Sequence, residues 1–300
     1  MTGHRDRPML GVATSLLAIF LFVVMDSTVK WLGADYPTQQ IMFFRSAVAL
    51  VPVAIFLFQA GGLSLLKTRR PVLHFLRCAL GTTAMACAFY GFSVMKLADA
   101  ASVFHTAPLI AVAFSVPILG EQVGIRRWLA VLAGLTGALI VARPGSDVFA
   151  TGSVFMLTAA VLVALTTTFI RLLNQTDHPT AITFYFTAFG TVVSTVACIV
   201  MGWETPTVFD LGLLCGVGLL GGTAQYFMTL SFRYAQVSVL SPFKYLAIVF
   251  SGAIGFFVWG EIPDRYTVGG ICLILVSGLY TIHRETRLAK SPSQPGSAVI

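Results

Sequence analysis

The chain is 300 residues long, 57% of them hydrophobic and only 10% charged, with a mean hydropathy of +0.86. A water-soluble domain carries about a quarter charged residues, so a soluble globule is excluded and a lipid bilayer is the natural solvent. The formal net charge of +7 does not point to nucleic acid, because the basic residues are spread through short segments between apolar runs.

A helix needs about 20 apolar residues to cross the hydrocarbon of a bilayer. Backbone groups in lipid must be satisfied internally, which leaves helices or a closed barrel. The apolar runs here are continuous rather than alternating, so helices are expected. Residues 1–8 form a short basic tail with the chain starting at Met1. The first run, 9–32, continues past any plausible cleavage site and carries Asp26 and Lys30, so it reads as a retained span. Further spans are expected at 39–60, 72–95, 98–119, 125–142, 152–173, 180–201, 210–234, 238–260 and 266–283. Residues 284–300, with Lys290, Pro292, Pro295 and Gly296, read as a polar disordered tail. The fold class is therefore all-α integral membrane, with about ten transmembrane helices whose short connections make sequential helices antiparallel neighbours.

Basic residues give the orientation. With the N-terminus in the cytoplasm, twelve fall inside (Arg5, Arg7, Lys67, Arg69, Arg70, Arg126, Arg127, Arg171, Arg233, Arg284, Arg287 and Lys290). Only Lys96, Arg143 and Arg265 fall outside. That asymmetry places both termini in the cytoplasm of a multi-pass inner-membrane protein.

The chain also repeats itself at an offset of about 140 residues. Gly120-Glu121 registers with Gly260-Glu261, and Gly81-Thr82-Thr83-Ala84 with Gly221-Gly222-Thr223-Ala224. Pro37-Thr38 and Phe44 register with Pro179-Thr180 and Phe186 after a two-residue drift. Two five-helix halves, 9–142 and 152–283, are expected. An odd number of spans in each half forces opposite orientations, an inverted repeat of the kind found in transporters with a solute site near the membrane midplane.

With these landmarks the sequence resembles the drug/metabolite transporter superfamily, in particular the EamA-like ten-helix carriers. The resemblance rests on Asp26, Lys30, Arg45 within Phe43-Phe44-Arg45, and the two Gly-Glu pairs. It rests also on the stretches from Leu97 to Pro108 and from Tyr234 to Phe243, and it covers roughly residues 9 to 283. The segments Pro71–Arg77 and Pro242-Phe243-Lys244-Tyr245 look most like carriers for riboflavin or S-adenosylmethionine uptake. The position of Lys244 is often acidic in related sequences, so a lysine there favours a neutral or anionic solute over a cationic one.

Ionisable side chains at membrane depth cost about 2.5–3.5 kcal/mol on insertion scales, so each needs a reason. Asp26 and Lys30 are spaced i, i+4 on one helix face, and Arg45 lies at similar depth in the second span. The three read either as a polar cluster for a gate or a proton and solute site, or as a structural ion pair between the first two spans. The repeat matches them with Thr167, Arg171 and Thr187. Lys244 and Tyr245, and His105 at the position matching Tyr245, are candidates for lining a cavity. Tyr90, Gln225 and Tyr226 carry polar groups at depth and suit stacking and hydrogen bonding to a planar solute. Arg77 reads as snorkelling to the headgroups. Pro108, Pro117 and Pro242 are expected to kink their spans.

No cofactor or metal is expected. The five cysteines Cys78, Cys87, Cys198, Cys215 and Cys272 lie in apolar runs without ligand spacing. A membrane enzyme would need clustered acids, yet Asp26 is the only acid deep in a span. The expected partners are lipid and a small-molecule solute. The solute reading is a vitamin- or nucleoside-like compound such as riboflavin, taken up by alternating access. The alternatives are S-adenosylmethionine uptake or export of amino acids and other metabolites. Without a nucleotide-hydrolysing domain in the sequence, the drive would be a proton or other ion gradient, a counter-solute, or the solute's own gradient.

Overall fold

The computed structural model describes residues 8–119, 125–142, 150–234 and 243–290, which are helices joined by short irregular connections and turns. In chain order the helices are α1 (Pro8–Leu32), α2 (Thr38–Ala47), α3 (Leu50–Ala60), α4 (Pro71–Val94), α5 (Leu97–Phe104) and α6 (Ala107–Leu119). Then follow α7 (Ile125–Ala142), α8 (Ala150–Leu173), α9 (Pro179–Met201), α10 (Val208–Tyr234), α11 (Leu246–Trp259) and α12 (Arg265–Lys290). Six helical stretches are by themselves long and apolar enough to cross a membrane, and shorter apolar helices cover Leu97–Ala111, Trp128–Val141, Leu246–Trp259 and Arg265–Ser277. Residues 284–290, expected in the tail, instead continue α12. Arg284, Glu285, Arg287 and Lys290 are good helix formers and carry the helix past its apolar run. The N-terminal residues 1–7, the Gly120-Glu121 pair, Pro242 and the tail 291–300 lie outside the described residues.

Helix packing reveals the two-fold relation. The most extensive contacts all join one half of the chain to the other: α1 with α10, α4 with α8, α7 with α12, and the α2–α3 pair with α9. Exchanging the halves turns the α1–α10 pair into α8–α4 and returns α7–α12 and α2/α3–α9 to themselves. Neither half buries its apolar surface alone. The connections 33–37, 95–96, 202–207 and 260–264 lie on one face of the bundle, and 61–70 and 174–178 on the other.

Among the described residues three crossings are interrupted, and two of the breaks are followed within three residues by a proline. The α2–α3 turn at Val48 and Ala49 precedes Pro52, which has no N–H for the Val48 carbonyl, and that carbonyl accepts from Val51 N at 3.1 Å instead. The α5–α6 turn at His105 and Thr106 precedes Pro108, and nearby side chains occupy the carbonyls there. Thr106 Oγ1 donates to Val103 O at 2.6 Å, and His105 Nδ1 lies 2.8 Å from Ala101 O. The third break is a turn at Tyr245 just before α11. His105 and Tyr245 stand 140 residues apart, so both halves break their fourth helix at the same point.

Small residues let α7 and α12 touch backbone to backbone. A Cβ on Gly137 would stand 2.8 Å from Gly270 O, and one on Gly270 would stand 2.7 Å from Gly137 O. Close approach of this kind is how helices associate in lipid, where no hydrophobic drive separates protein from tails. Gly270→Val is expected to lower stability by about 1–3 kcal/mol through overpacking. Thermal unfolding of the purified protein in detergent measures it; an unchanged melting temperature would place the two helices farther apart than described.

Candidate functional site

The charged interior centres on one aromatic ring. Phe186 of α9 is buried, with the Arg77 guanidinium carbon 3.8 Å from its centroid and that of Arg45 5.6 Å away. Arg45 on α2 and Arg77 on α4 are each only 5% exposed. Two glycines of the repeat make room for them. A Cβ on Gly81 would come within 3.0 Å of the Phe186 ring and 3.5 Å of Arg77 Nη1, and one on Gly221 within 3.2 Å of Arg45 Nε. Arg77 lies one helical turn before Gly81, on the same face of α4. Asp26 on α1 acts electrostatically on Arg45, but the two form no ion pair within 4.0 Å.

Arg77 therefore departs from expectation. It does not snorkel: its Nε and Nη1 are buried and carry no hydrogen bond. The Ser46 and Thr82 hydroxyls are also buried without partners, and both lie near Gly190 of α9.

Lys30 departs from the expected cluster as well. Its Nζ donates to Glu261 Oε1 at 2.5 Å and to Met95 O at 2.6 Å, and sits 5.2 Å above the Trp259 ring. Glu261 Oε2 accepts from Leu97 N at 2.9 Å. The side chains of Lys30 and Glu261 are 11% and 15% exposed. Lys30 thus fastens α1 to the ends of α4, α5 and α11 instead of joining Asp26 and Arg45. The Gly-Glu landmark explains this clasp. Gly260 ends α11 at φ 65°, a left-handed turn open to glycine. That turn folds the chain back so Glu261 N meets Gly255 O, and its carboxylate faces Lys30.

The opposite face carries a second clasp. Asp177 Oδ2 lies 2.6 Å from His74 Nε2 and accepts from Thr68 Oγ1 at 2.5 Å, while Arg70 Nη1 donates to Leu172 O. Neither His74 nor Asp177 stands out in the sequence, since each sits at a span end where polar residues are ordinary.

The remaining expected residues fall in three other places. Tyr90 is half-buried against Phe155 where α4 crosses α8. Tyr226 stacks on Phe56 and lines a cleft of about 270 Å³ with Gln59, His178, Thr180 and Leu230, near the face carrying 61–70 and 174–178. Gln225 is its half-buried neighbour on α10. Lys244 is half-buried, and close enough to His105 to act on it electrostatically. Tyr245 is buried at the start of α11. The structure thus brings together His105, Lys244 and Tyr245 at the paired helix breaks, and Asp26 with Arg45 in the interior. It separates both groups from Lys30, Tyr90 and Tyr226.

Asp177 generates a pH prediction. Burial pushes its carboxyl up, but hydrogen bonds from Thr68, His74 and Thr176 together hold it below the usual carboxylate range. A carboxylate depressed in the folded state stabilises the protein above its unfolded pKa, and that stability is lost as pH falls through the folded value. Asp177→Asn should therefore lower the melting temperature at neutral pH. The gap to the parent should close as pH falls below the ordinary carboxylate value; a gap independent of pH would contradict the assignment.

The EamA-like transporter family matches the chain twice, over residues 9–143 and 150–282. The chain is 32% identical to the pseudopaline exporter CntI of Pseudomonas aeruginosa, over 89% of this chain and 94% of that protein. It is 27% identical to a riboflavin transporter of Rhizobium johnstonii, over 96% of each. It is 26% identical to an S-adenosylmethionine uptake transporter of Rickettsia bellii, over 93% of this chain and 95% of that one. A solved crystal structure superimposes with a TM-score of 0.67 at 16% identity, over 96% of this chain and all of the other, a likeness of fold.

Proposed function

The chain belongs to the EamA-like transporter family, and we propose that it is a secondary carrier moving a small organic solute by alternating access. Membership makes it a multi-pass membrane transporter of small metabolites. The carrier mechanism rests above all on one observation. The fourth helix of each half is broken at matching residues, His105 and Tyr245, and Lys244 stands beside the break. Broken helices at corresponding points of two repeats mark a solute site, because only backbone lining a cavity or packed in protein tolerates interruption in lipid.

Residues 9–142 and 152–283 are read as the two halves that move against each other. The distribution of basic residues supports an inner-membrane protein with both termini in the cytoplasm. The face carrying 33–37 and 202–207 is then periplasmic, with the Lys30–Glu261 clasp on that side and the Asp177 clasp on the cytoplasmic side. The Tyr226 cleft opens toward the cytoplasm in this arrangement.

The interior charges favour a solute that presents an anionic or carbonyl-rich end. A cationic solute would meet Lys244, Arg45 and Arg77 in a low dielectric, where like charges repel strongly. Riboflavin, with its planar ring and carbonyls, falls in the favoured class, as do carboxylate-bearing metabolites. A thermal-shift screen of purified protein against vitamins, nucleosides, amino acids, riboflavin and S-adenosylmethionine, followed by flux into and out of proteoliposomes, tests the reading. A solute that both stabilises the protein and crosses the membrane supports it; flux of none of them would overturn it.

Two variants are informative once a solute is found. Asp26→Asn should insert normally yet cut transport and change its pH dependence, because Asp26 is an intramembrane acid beside Arg45. Normal rate and pH profile would make Asp26 structural. Lys244→Glu should sharply weaken uptake of an anionic or carbonyl-bearing solute, while Lys244→Gln weakens it in part. Unchanged affinity in Lys244→Glu would mean that the lysine only reaches for headgroups.

A further inference from the structure

Charge around Phe186 does not balance. Arg45 and Arg77 stay protonated at any accessible pH, and both approach the same buried ring. They are close enough to repel each other electrostatically. Asp26 acts on Arg45 and offers at most one negative charge. Among the described residues Arg77 has no carboxylate within ion-pair distance; the Cys78 thiol against it is a weak partner and the Phe186 face a partial one. Two cations and at most one anion leave a net positive charge in the protein interior. An uncompensated buried charge costs several kcal/mol, and a buried guanidinium with free N–H groups adds the cost of unmade hydrogen bonds.

We propose that this cluster is the binding site for a carboxylate group of the transported solute, with the Arg77 guanidinium as its principal donor. The proposal rests on the reading of the chain as a carrier and narrows its solute class. Nε and Nη1 are two N–H-bearing atoms of one guanidinium left without acceptors, and a charge-assisted hydrogen bond to a carboxylate or another oxyanion is the strong bond such a group can make. Ser46, next in sequence to Arg45, and Thr82, next to Gly81, add two further buried hydroxyls without partners near Gly190, one turn beyond Phe186 on α9. Each can donate to a carboxylate oxygen. The site draws on both halves: Arg45, Ser46, Arg77 and Thr82 come from the first, Phe186 and Gly221 from the second. Relative motion of the halves would therefore change how closely the two guanidinium groups surround the anion.

The physical signature separates a binding role from a structural one. If Arg77 waits for a carboxylate, removing its charge relieves the empty protein while it destroys the site. Arg77→Gln should then melt at or above the temperature of the parent in the absence of ligand. Purified parent protein should gain several degrees with millimolar benzoate, succinate or glutamate, and much less with the corresponding amides. That gain should disappear in Arg77→Gln and partly return in Arg77→Lys, with apparent affinity weakened about tenfold or more in the glutamine variant. Three outcomes would overturn the proposal: amides as effective as acids, chloride as effective as carboxylates, or Arg77→Gln melting well below the parent with the carboxylate gain intact. A carboxylate-dependent shift without flux of any solute would sink the carrier reading and leave the site. Flux of an uncharged solute undiminished in Arg77→Gln would keep the carrier and remove the site.

Discussion

A charge inside a lipid-facing bundle must find its partner within the protein, and here the partners come from the other half of the chain. Lys30 is held by Glu261, 231 residues away. His74 meets Asp177, and Arg45 and Arg77 both turn to Phe186. Neutral polar groups follow suit: Tyr36 donates to Asp210, and Gln40 exchanges hydrogen bonds with the backbone of Glu204. A half separated from its partner would leave Arg45 and Arg77 facing hydrocarbon and the groups at the two faces without their partners. The interlocking of α1 with α10 and of α4 with α8 is thus required by electrostatics as much as by packing.

The two halves share a scaffold but not its chemistry. Gly81 and Gly221 occupy matching positions, and each opens a space filled by an arginine side chain. Both arginines nevertheless belong to the first half. The repeat puts Thr187 opposite Arg45 and Val217 opposite Arg77, and Thr167 opposite Asp26. The second half contributes the ring and the clasping acids instead, Phe186, Asp177 and Glu261. Such a division places positive charge on one half and its counter-surface on the other, so any shift between them would alter the electrostatics of the interior. The clasps at the two faces are built from different chemistry, a lysine–glutamate pair on one and a histidine–aspartate–threonine group on the other. Conditions that loosen one need not loosen the other.

Hydrophobic run lengths were enough to place the crossings, because a bilayer imposes its thickness on any helix that spans it. The repeat was legible for a related reason. Glycines at close helix contacts and at a left-handed turn tolerate little else, so Gly81, Gly221 and Gly260 stand out against interchangeable apolar text. Glu261 was visible as part of that landmark, but its bond to Lys30 was not. A salt bridge across 231 residues depends on where α11 ends in space. The sequence spacing of Asp26 and Lys30 suggested one cluster, and the bundle divided it by offering the longer side chain better acceptors at the face.

Arg77 shows most sharply where sequence reading stops. Two turns from a helix end, a lysine or arginine can reach water by its flexible stem, and nothing in the local sequence says whether it does. Only the docking of α9 against α4 decides, by putting the Phe186 ring in the path of the guanidinium and closing the route to the headgroups. The sequence by itself determined an α-helical membrane protein of two like halves, because hydropathy and glycine placement are local properties of the chain. Tertiary structure decided which charges are paired, which are orphaned and which ring they share, because those depend on distances between helices that no spacing along one helix encodes.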